Sequence, residues 1–325
     1  MKVIEFIVVL RFLATCLITN SHFGNVWPIQ VMATGGALGN SLFFFVSGYC
    51  ISTKQQNFIT WIWKKIINLY IPIVLVQIFC YMIGIYKSSS IIQVFKMFVF
   101  PTNYWFFSAI LVGFCVMYLW DNAKIGGGKK KRILLSALCA GVMIIRYYAF
   151  GISKIGIEND FIVKTAFYIL IMQLGYSLRR NKMFAENRNV VNAVGIMIGV
   201  VGLYGWKILE GKNAFFYNFQ LGEYIFLALF VCSIYAFCMN NEKRFHGLAS
   251  YKGWRGVRWI AARSWEIYLV QVPLVHHLKL MRFPISLFEM LAMIFLCTFV
   301  LGAASRYTMK FITGEVLNKA STAGR

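Results

Sequence analysis

The sequence predicts an all-α integral membrane protein, a bundle of about ten transmembrane helices with both termini in the cytoplasm, and three observations carry that expectation. The 325 residues are 59% hydrophobic and only 14% charged, whereas a soluble domain carries about 25% charged residues. The apolar residues come in continuous runs of about 20, enough for a helix to cross roughly 30 Å of hydrocarbon. An outer-membrane barrel would instead show weak alternation. Finally, the basic residues sit between the apolar runs and are strongly one-sided, which orients the chain.

Taken in order, the runs predict helices near 4–22, 37–53, 66–86, 101–120, 133–150, 162–178, 190–208, 222–240, 260–278 and 286–309. The first imitates a secretory signal. Its leading region has a single lysine, Lys2, however, while Arg11 interrupts the apolar core and no small-residue cleavage site follows. It is therefore expected to remain as a first helix. Of the 33 Lys and Arg, twenty-three fall in alternate connections on one side. Among these are Lys64, Lys65, the Lys129 to Arg132 run, Arg179, Arg180, Arg255, Arg258, Arg263 and Arg306. Seven, including Lys87, Lys164 and Arg282, fall on the other. The positive-inside rule places the richer side in the cytoplasm. A single transmembrane domain over 1–325 is expected, with no separate soluble domain, because the connections are short. The richest of them, IGGGKKKR at 125–132, reads as a flexible cytoplasmic loop.

A net charge of +22 would suggest nucleic acid in a soluble protein. Here the same charges act as topology determinants, so no nucleic-acid partner is expected. The eight cysteines all lie within apolar runs and form no CxxC pair, which argues against a disulfide framework or a zinc site. His246, His276 and His277 show no ligand spacing, so no metal is expected.

The first run holds an arginine, Arg11, and closes on a histidine, His22. Eleven residues at 100° each come about 20° past three full turns, so both side chains share one helix face, about 16 Å apart along the axis. A centrally buried arginine costs at least about 2.5 kcal/mol and should face a polar path with a partner. Glu266, a rare intramembrane carboxylate, is one candidate partner for it, or for a lysine at 64–65. The bland alternatives are a structural pair or a snorkelling Arg11, and a His22 satisfied by interfacial water.

The pattern Arg11, Ala14, Ile18, His22, followed by Gly39, Phe44, Phe45, Ser47, Gly48 and Tyr49, resembles the first two helices of the membrane acyltransferase-3 family. Further segments match in order. WKKIINLYIP at 63–72 resembles the family's basic juxtamembrane segment, NYWFFSAIL at 103–111 its W-F helix, and RSWEIYLVQVPL at 263–274 its S-x-E-I-Y-L helix. The chain departs from the family at Asn68, where many relatives carry a second arginine, and at Gln271, where many carry histidine. Its ending also has Tyr307 and Lys310 near the place of a common E-x-P.

The resemblance implies a multi-pass protein of a bacterial-type inner membrane. It would transfer an acyl group, usually acetyl, from cytoplasmic acyl-CoA to a hydroxyl of a cell-surface polysaccharide or its lipid-linked precursor. Acetyl-CoA would be the donor substrate, with no permanently bound cofactor; the glycan acceptor and membrane lipid complete the partners. His22 is expected as base or acyl carrier, and Arg11 as a catalytic and donor-binding residue. Lys64 and Lys65 are expected to hold donor phosphates. Ser47, Tyr49, Trp105, Arg146, Glu266 and Tyr268 are substrate-binding candidates. Against these stand plainer readings: topology charges for the lysines, an aromatic belt for Trp105, and a snorkelling Arg146. The alternative function is a polytopic transporter or flippase of a glycan or lipid intermediate. The sequence nevertheless shows no duplicated halves with broken helices. A non-catalytic scaffold would not need Arg11 and His22 on one face.

Overall fold

A computed structural model describes residues 4–52, 57–86, 90–99, 104–123, 128–152, 156–181, 188–277 and 281–322. Several lysines and arginines used for the orientation lie outside the described residues: Lys2, Lys54, Lys87, Lys124, Lys154, Lys182, Lys279 and Arg325. So does the 125–127 part of the glycine-rich loop.

The chain is an all-α membrane protein, with no strand among the described residues. Its helices are α1 (Glu5–Ser21), α2 (Gly36–Cys50), α3 (Phe58–Met82), α4 (Ile91–Val99), α5 (Trp105–Asn122), α6 (Gly128–Ala149) and α7 (Phe161–Asn181). They continue with α8 (Asn189–Glu210), α9 (Ala214–Tyr217), α10 (Glu223–Asn240), α11 (Glu242–Leu248), α12 (Trp254–Ala262), α13 (Ser264–His277) and α14 (Ile285–Thr322).

Among the described residues eight stretches, those containing α2, α3, α5, α6, α7, α8, α10 and α14, are long and apolar enough to cross a membrane. Two expected spans differ. The first is the 17-residue α1. The ninth breaks at Arg263 into α12 and the 14-residue α13. Both are shorter than the roughly 20 residues of a full perpendicular crossing. The break follows from composition, because α12 carries Arg255 and Arg258 beside Trp254 and Trp259, the mixture of an interfacial helix rather than a spanning one. At the other extreme α14 runs 38 residues to Thr322, since no proline after Arg306 interrupts its ladder.

The chain forms two compact units. The first comprises Met1–Ile18, Gly35–Gln55 and Ser108–Ala262. In it α2 packs along α7 and α8 along α10, with α6 on α7 and α10 on α2. Small residues permit the close approaches that hold helices together in lipid, where apolar side chains gain little by mere burial. A Cβ on Gly48 would stand 2.0 Å from the Met172 carbonyl oxygen, and one on Gly175 2.2 Å from that of Phe45, so α2 and α7 touch backbone to backbone. Beyond these contacts Phe44 of α2 stacks on Tyr168 of α7 at 4.4 Å.

The start of α1 is tied into this unit. Its free N–H groups at Glu5 and Phe6 donate to the Glu242 carboxylate at 3.0 and 2.6 Å, an anion placed where the helix dipole favours one. The Glu5 carboxylate, 1% exposed, accepts from Trp254 Nε1 at 2.8 Å and pairs with Arg258. These bonds fix the axial position of the helix that carries Arg11.

The second unit comprises Thr19–Thr34, Gln56–Phe107 and Arg263–Arg325. Here α13 packs on α14, and both pack on α3.

Candidate functional site

His22 stands one residue beyond the last helical residue of α1. Its N–H donates to the Thr19 carbonyl at 3.1 Å, and the Phe23 N–H to that of Asn20 at 3.0 Å, so the chain turns tightly there. Asn20 folds the following segment back over this turn. Its Nδ2 donates to the Met32 and Thr34 carbonyls, both at 2.9 Å, and its Oδ1 accepts from Trp27 Nε1 at 2.9 Å. Ser286, in the first turn of α14, donates to the Val26 carbonyl at 3.0 Å, and Trp27 lies against Phe283 at 5.7 Å. Four side-chain hydrogen bonds and the Trp27–Phe283 ring contact therefore brace the turn that carries His22. Burial, and then the neighbouring His276, hold its pKa below the ordinary value, which leaves a neutral ring at pH 7 able to accept a proton.

The His22 ring faces that of Tyr268 edge-on, 6.4 Å between centroids. Tyr268 belongs to an aromatic cluster with Trp265 stacked at 5.5 Å, Phe106 at 5.5 Å and Tyr104 at 6.1 Å. Two prolines explain how the cluster is pinned. Pro273 in α13 has no N–H for the carbonyl four residues earlier, that of Leu269, and the Tyr104 hydroxyl donates to that carbonyl at 3.3 Å. Pro72 in α3 opens the ladder around Asn68 and Leu69, where Trp265 Nε1 donates to the Leu69 carbonyl at 2.9 Å. Each tyrosine or tryptophan donor thus takes a backbone acceptor beside a proline-opened turn, a match that an apolar surround makes valuable. Trp105, half-buried, meets the cluster through Phe106 at 5.9 Å.

The remaining residues of this unit divide. Gln271, fully buried on α13, has neither side-chain amide atom hydrogen-bonded. Glu266 is half-buried in the first turn of α13 and makes no ion pair among the described residues of its unit. Lys64 is exposed. Lys65 is half-buried, with its ammonium 5.8 Å from the centre of the Trp61 ring. Both lysines lie in the second turn of α3, inside the helix rather than ahead of it.

In the first unit Arg11 is half-buried on α1 and makes no ion pair among the described residues of that unit. Ala14 and Ile18 of the same motif receive Gly39 of α2, where a Cβ would stand 2.8 Å from the Ala14 carbonyl and 2.7 Å from Ile18 Cγ1. Ser47 and Tyr49 are half-buried. The Tyr49 ring packs on Phe6 at 5.6 Å and Tyr235 at 6.1 Å, and its carbonyl accepts from Arg179 at 3.1 Å. Arg146 pairs with Asp160 at 3.1 Å and lies 4.6 Å over the Phe150 ring, so its charge is matched by the protein itself.

Sequence reasoning missed Asn20, Asp160, Tyr104 and Trp265 as positioning residues. The signal for Tyr104 was there: a proline inside an apolar run, here Pro273, promises a carbonyl in want of a donor. Among the described residues no group of His, Cys, Asp and Glu is arranged to hold a metal.

No curated protein and no solved structure matches the chain. The family model of an acyltransferase domain does match, over residues 4–305, nearly the whole chain from the first turn of α1 to within α14. The protein therefore belongs to the membrane acyltransferase-3 family.

Proposed function

We propose that the protein is a membrane O-acyltransferase that moves an acyl group, usually acetyl, from cytoplasmic acyl-CoA to a hydroxyl of a cell-surface polysaccharide or its lipid-linked precursor. The observation that carries this reading is His22: a braced, neutral imidazole set against an aromatic cluster. A sugar hydroxyl is a poor nucleophile at neutral pH and needs a positioned base. His22 takes the hydroxyl proton as the oxygen attacks the thioester carbonyl. The tetrahedral intermediate then collapses, expelling the CoA sulfur, which takes the proton back from the imidazolium. In the two-step variant the imidazole nitrogen attacks the thioester carbonyl first and expels the CoA thiolate; the hydroxyl oxygen then takes the acyl group, the C–N bond to the imidazole breaks, and the hydroxyl proton passes to the freed imidazole nitrogen. Arg11 contributes a fixed positive charge with a planar fork suited to phosphate or to a developing oxyanion. Aromatic faces such as Trp105 suit the apolar face of a sugar ring.

The test is transfer of isotope from labelled acetyl-CoA into glycan by membranes carrying the protein, with rapid quench to look for label on His22. Label appearing in an O-ester supports the reading. Movement of unmodified glycan or lipid without isotope transfer would replace it with a transporter.

A further inference from the structure

Gly302 of α14 has no side chain, and Arg263 uses the space. A Cβ there would stand 1.6 Å from Arg263 Nη1 and 2.9 Å from its Cζ, while Arg306 Nη1 lies 3.6 Å from the same point. The two nitrogens are therefore no further apart than about 5.2 Å, the sum of the first and last of these distances. Two guanidinium groups this close repel one another strongly where water is scarce. Neither arginine makes an ion pair among the described residues, and Arg263 Nη1 is buried without a hydrogen-bond partner. Ser305, three residues from Gly302 and so on the same side of α14, is 1% exposed, and its hydroxyl also lacks a partner. The carboxylate nearest in sequence, Glu266, bonds back to its own backbone N–H. A buried donor left unmatched is costly, and here a guanidinium nitrogen of Arg263 and the Ser305 hydroxyl are both unmatched, with the exposed Arg306 guanidinium close to the first.

We propose that Arg263, Arg306 and Ser305 form a binding site for a phosphoryl dianion, with Gly302 as the residue whose missing side chain lets the Arg263 guanidinium lie against α14 near Arg306. Planar guanidinium groups hold phosphate oxygens in pairs, and a hydroxyl supplies a further neutral donor. The site lies at the start of α13 against the middle of α14. Two sources carry the same chemistry: the phosphates of a nucleotide-bearing donor, and the headgroup of an anionic phospholipid. The assignment does not depend on the acyl-transfer reading, since it follows from charge and geometry alone.

The experiment uses the full chain in nanodiscs of phosphatidylcholine. Inorganic pyrophosphate and adenosine 3′,5′-bisphosphate are titrated by calorimetry, and phosphatidic acid retention is read by native mass spectrometry from discs doped with that lipid. Arg306→Gln, Arg263→Gln and Gly302→Ala are compared with the unaltered protein, with melting temperature as the check on folding. Arg306 is exposed, so its variant is expected to fold even if Gly302→Ala does not. Loss of about tenfold or more in affinity for the soluble phosphates assigns the site to a nucleotide. Loss of phosphatidic acid retention alone assigns it to lipid. Unchanged binding of both probes in folded Arg306→Gln and Arg263→Gln overturns the proposal. Isotope transfer from acetyl-CoA, measured on the same samples, reports separately on the catalytic reading.

Discussion

Replacing His22 tests the proposed chemistry most directly, and the structure sets both the size and the pH dependence of the effect. A positioned general base contributes about 10²- to 10⁴-fold to a rate, so His22→Ala is expected to lower acetyl transfer by at least about a hundredfold while leaving membrane insertion intact. The pH profile is more specific. The base works only as the neutral ring, so the rate rises as pH climbs through the pKa of His22 and is flat above it. Burial and His276 lower that pKa, which puts the rise below the ordinary histidine value of about 6.5 and keeps the rate at its plateau at pH 7. His276→Gln removes the like charge, so the rise moves up toward 6.5, by less than the full displacement because burial is the larger cause. The assay is initial rate against pH with labelled acetyl-CoA in proteoliposomes. A rise centred above 6.5, a downward shift in His276→Gln, or near-normal activity in well-expressed His22→Ala would each refute the reasoning.

Three further outcomes are expected. A cysteine placed at Ala123 should resist a membrane-impermeant thiol reagent applied to intact cells while one at Lys87 reacts, because twenty-three cationic residues against seven put the first in the cytoplasm. Arg258→Gln should lower stability only slightly, read as a small drop in melting temperature in detergent, since Arg258 is 43% exposed and Glu5 keeps its bond from Trp254. If Arg11 holds donor phosphate, Arg11→Lys should weaken acetyl-CoA binding in a folded protein and Arg11→Ala should weaken it more. If it is half of a structural pair instead, Arg11→Ala should lose yield, Glu266→Gln should restore part of it, and donor affinity should not change.

Lipid makes the spanning helices legible, because a backbone in hydrocarbon must satisfy its own hydrogen bonds and so announces itself as a long apolar run. The same averaging hid the break at Arg263. Trp259, Ile260 and the apolar start of α13 read as one run with it, although the charges of α12 sit on a separate short helix. Arg11 and His22 were visible for the opposite reason, being costly residues in a run that otherwise excludes charge. Glu5, the one carboxylate of that run, carried the same signal and was passed over; its partners lie about 250 residues away at Trp254 and Arg258, a distance that no local pattern spans.

The pinning of the aromatic cluster shows which part of a site such a sequence can encode openly. Each of α3 and α13 contains one proline, and each proline costs its helix a backbone bond that lipid cannot replace. Trp265 and Tyr104 are large, apolar over most of their surface and polar at one atom, so either can fill a helix interface and still donate once. Pro273 makes the Leu269 carbonyl the place where such a donor gains most, Pro72 does the same for the Asn68 carbonyl next to the Leu69 carbonyl that Trp265 meets, and the two rings flank Tyr268 beside His22. The rigidity of that wall thus has a local cause that can be tested without touching His22. Pro273→Ala restores the N–H to Leu269 and releases the Tyr104 hydroxyl, so it should loosen the cluster even while it repairs the helix. Trp265→Phe removes the other donor and leaves the ladder opened at Pro72 as it was.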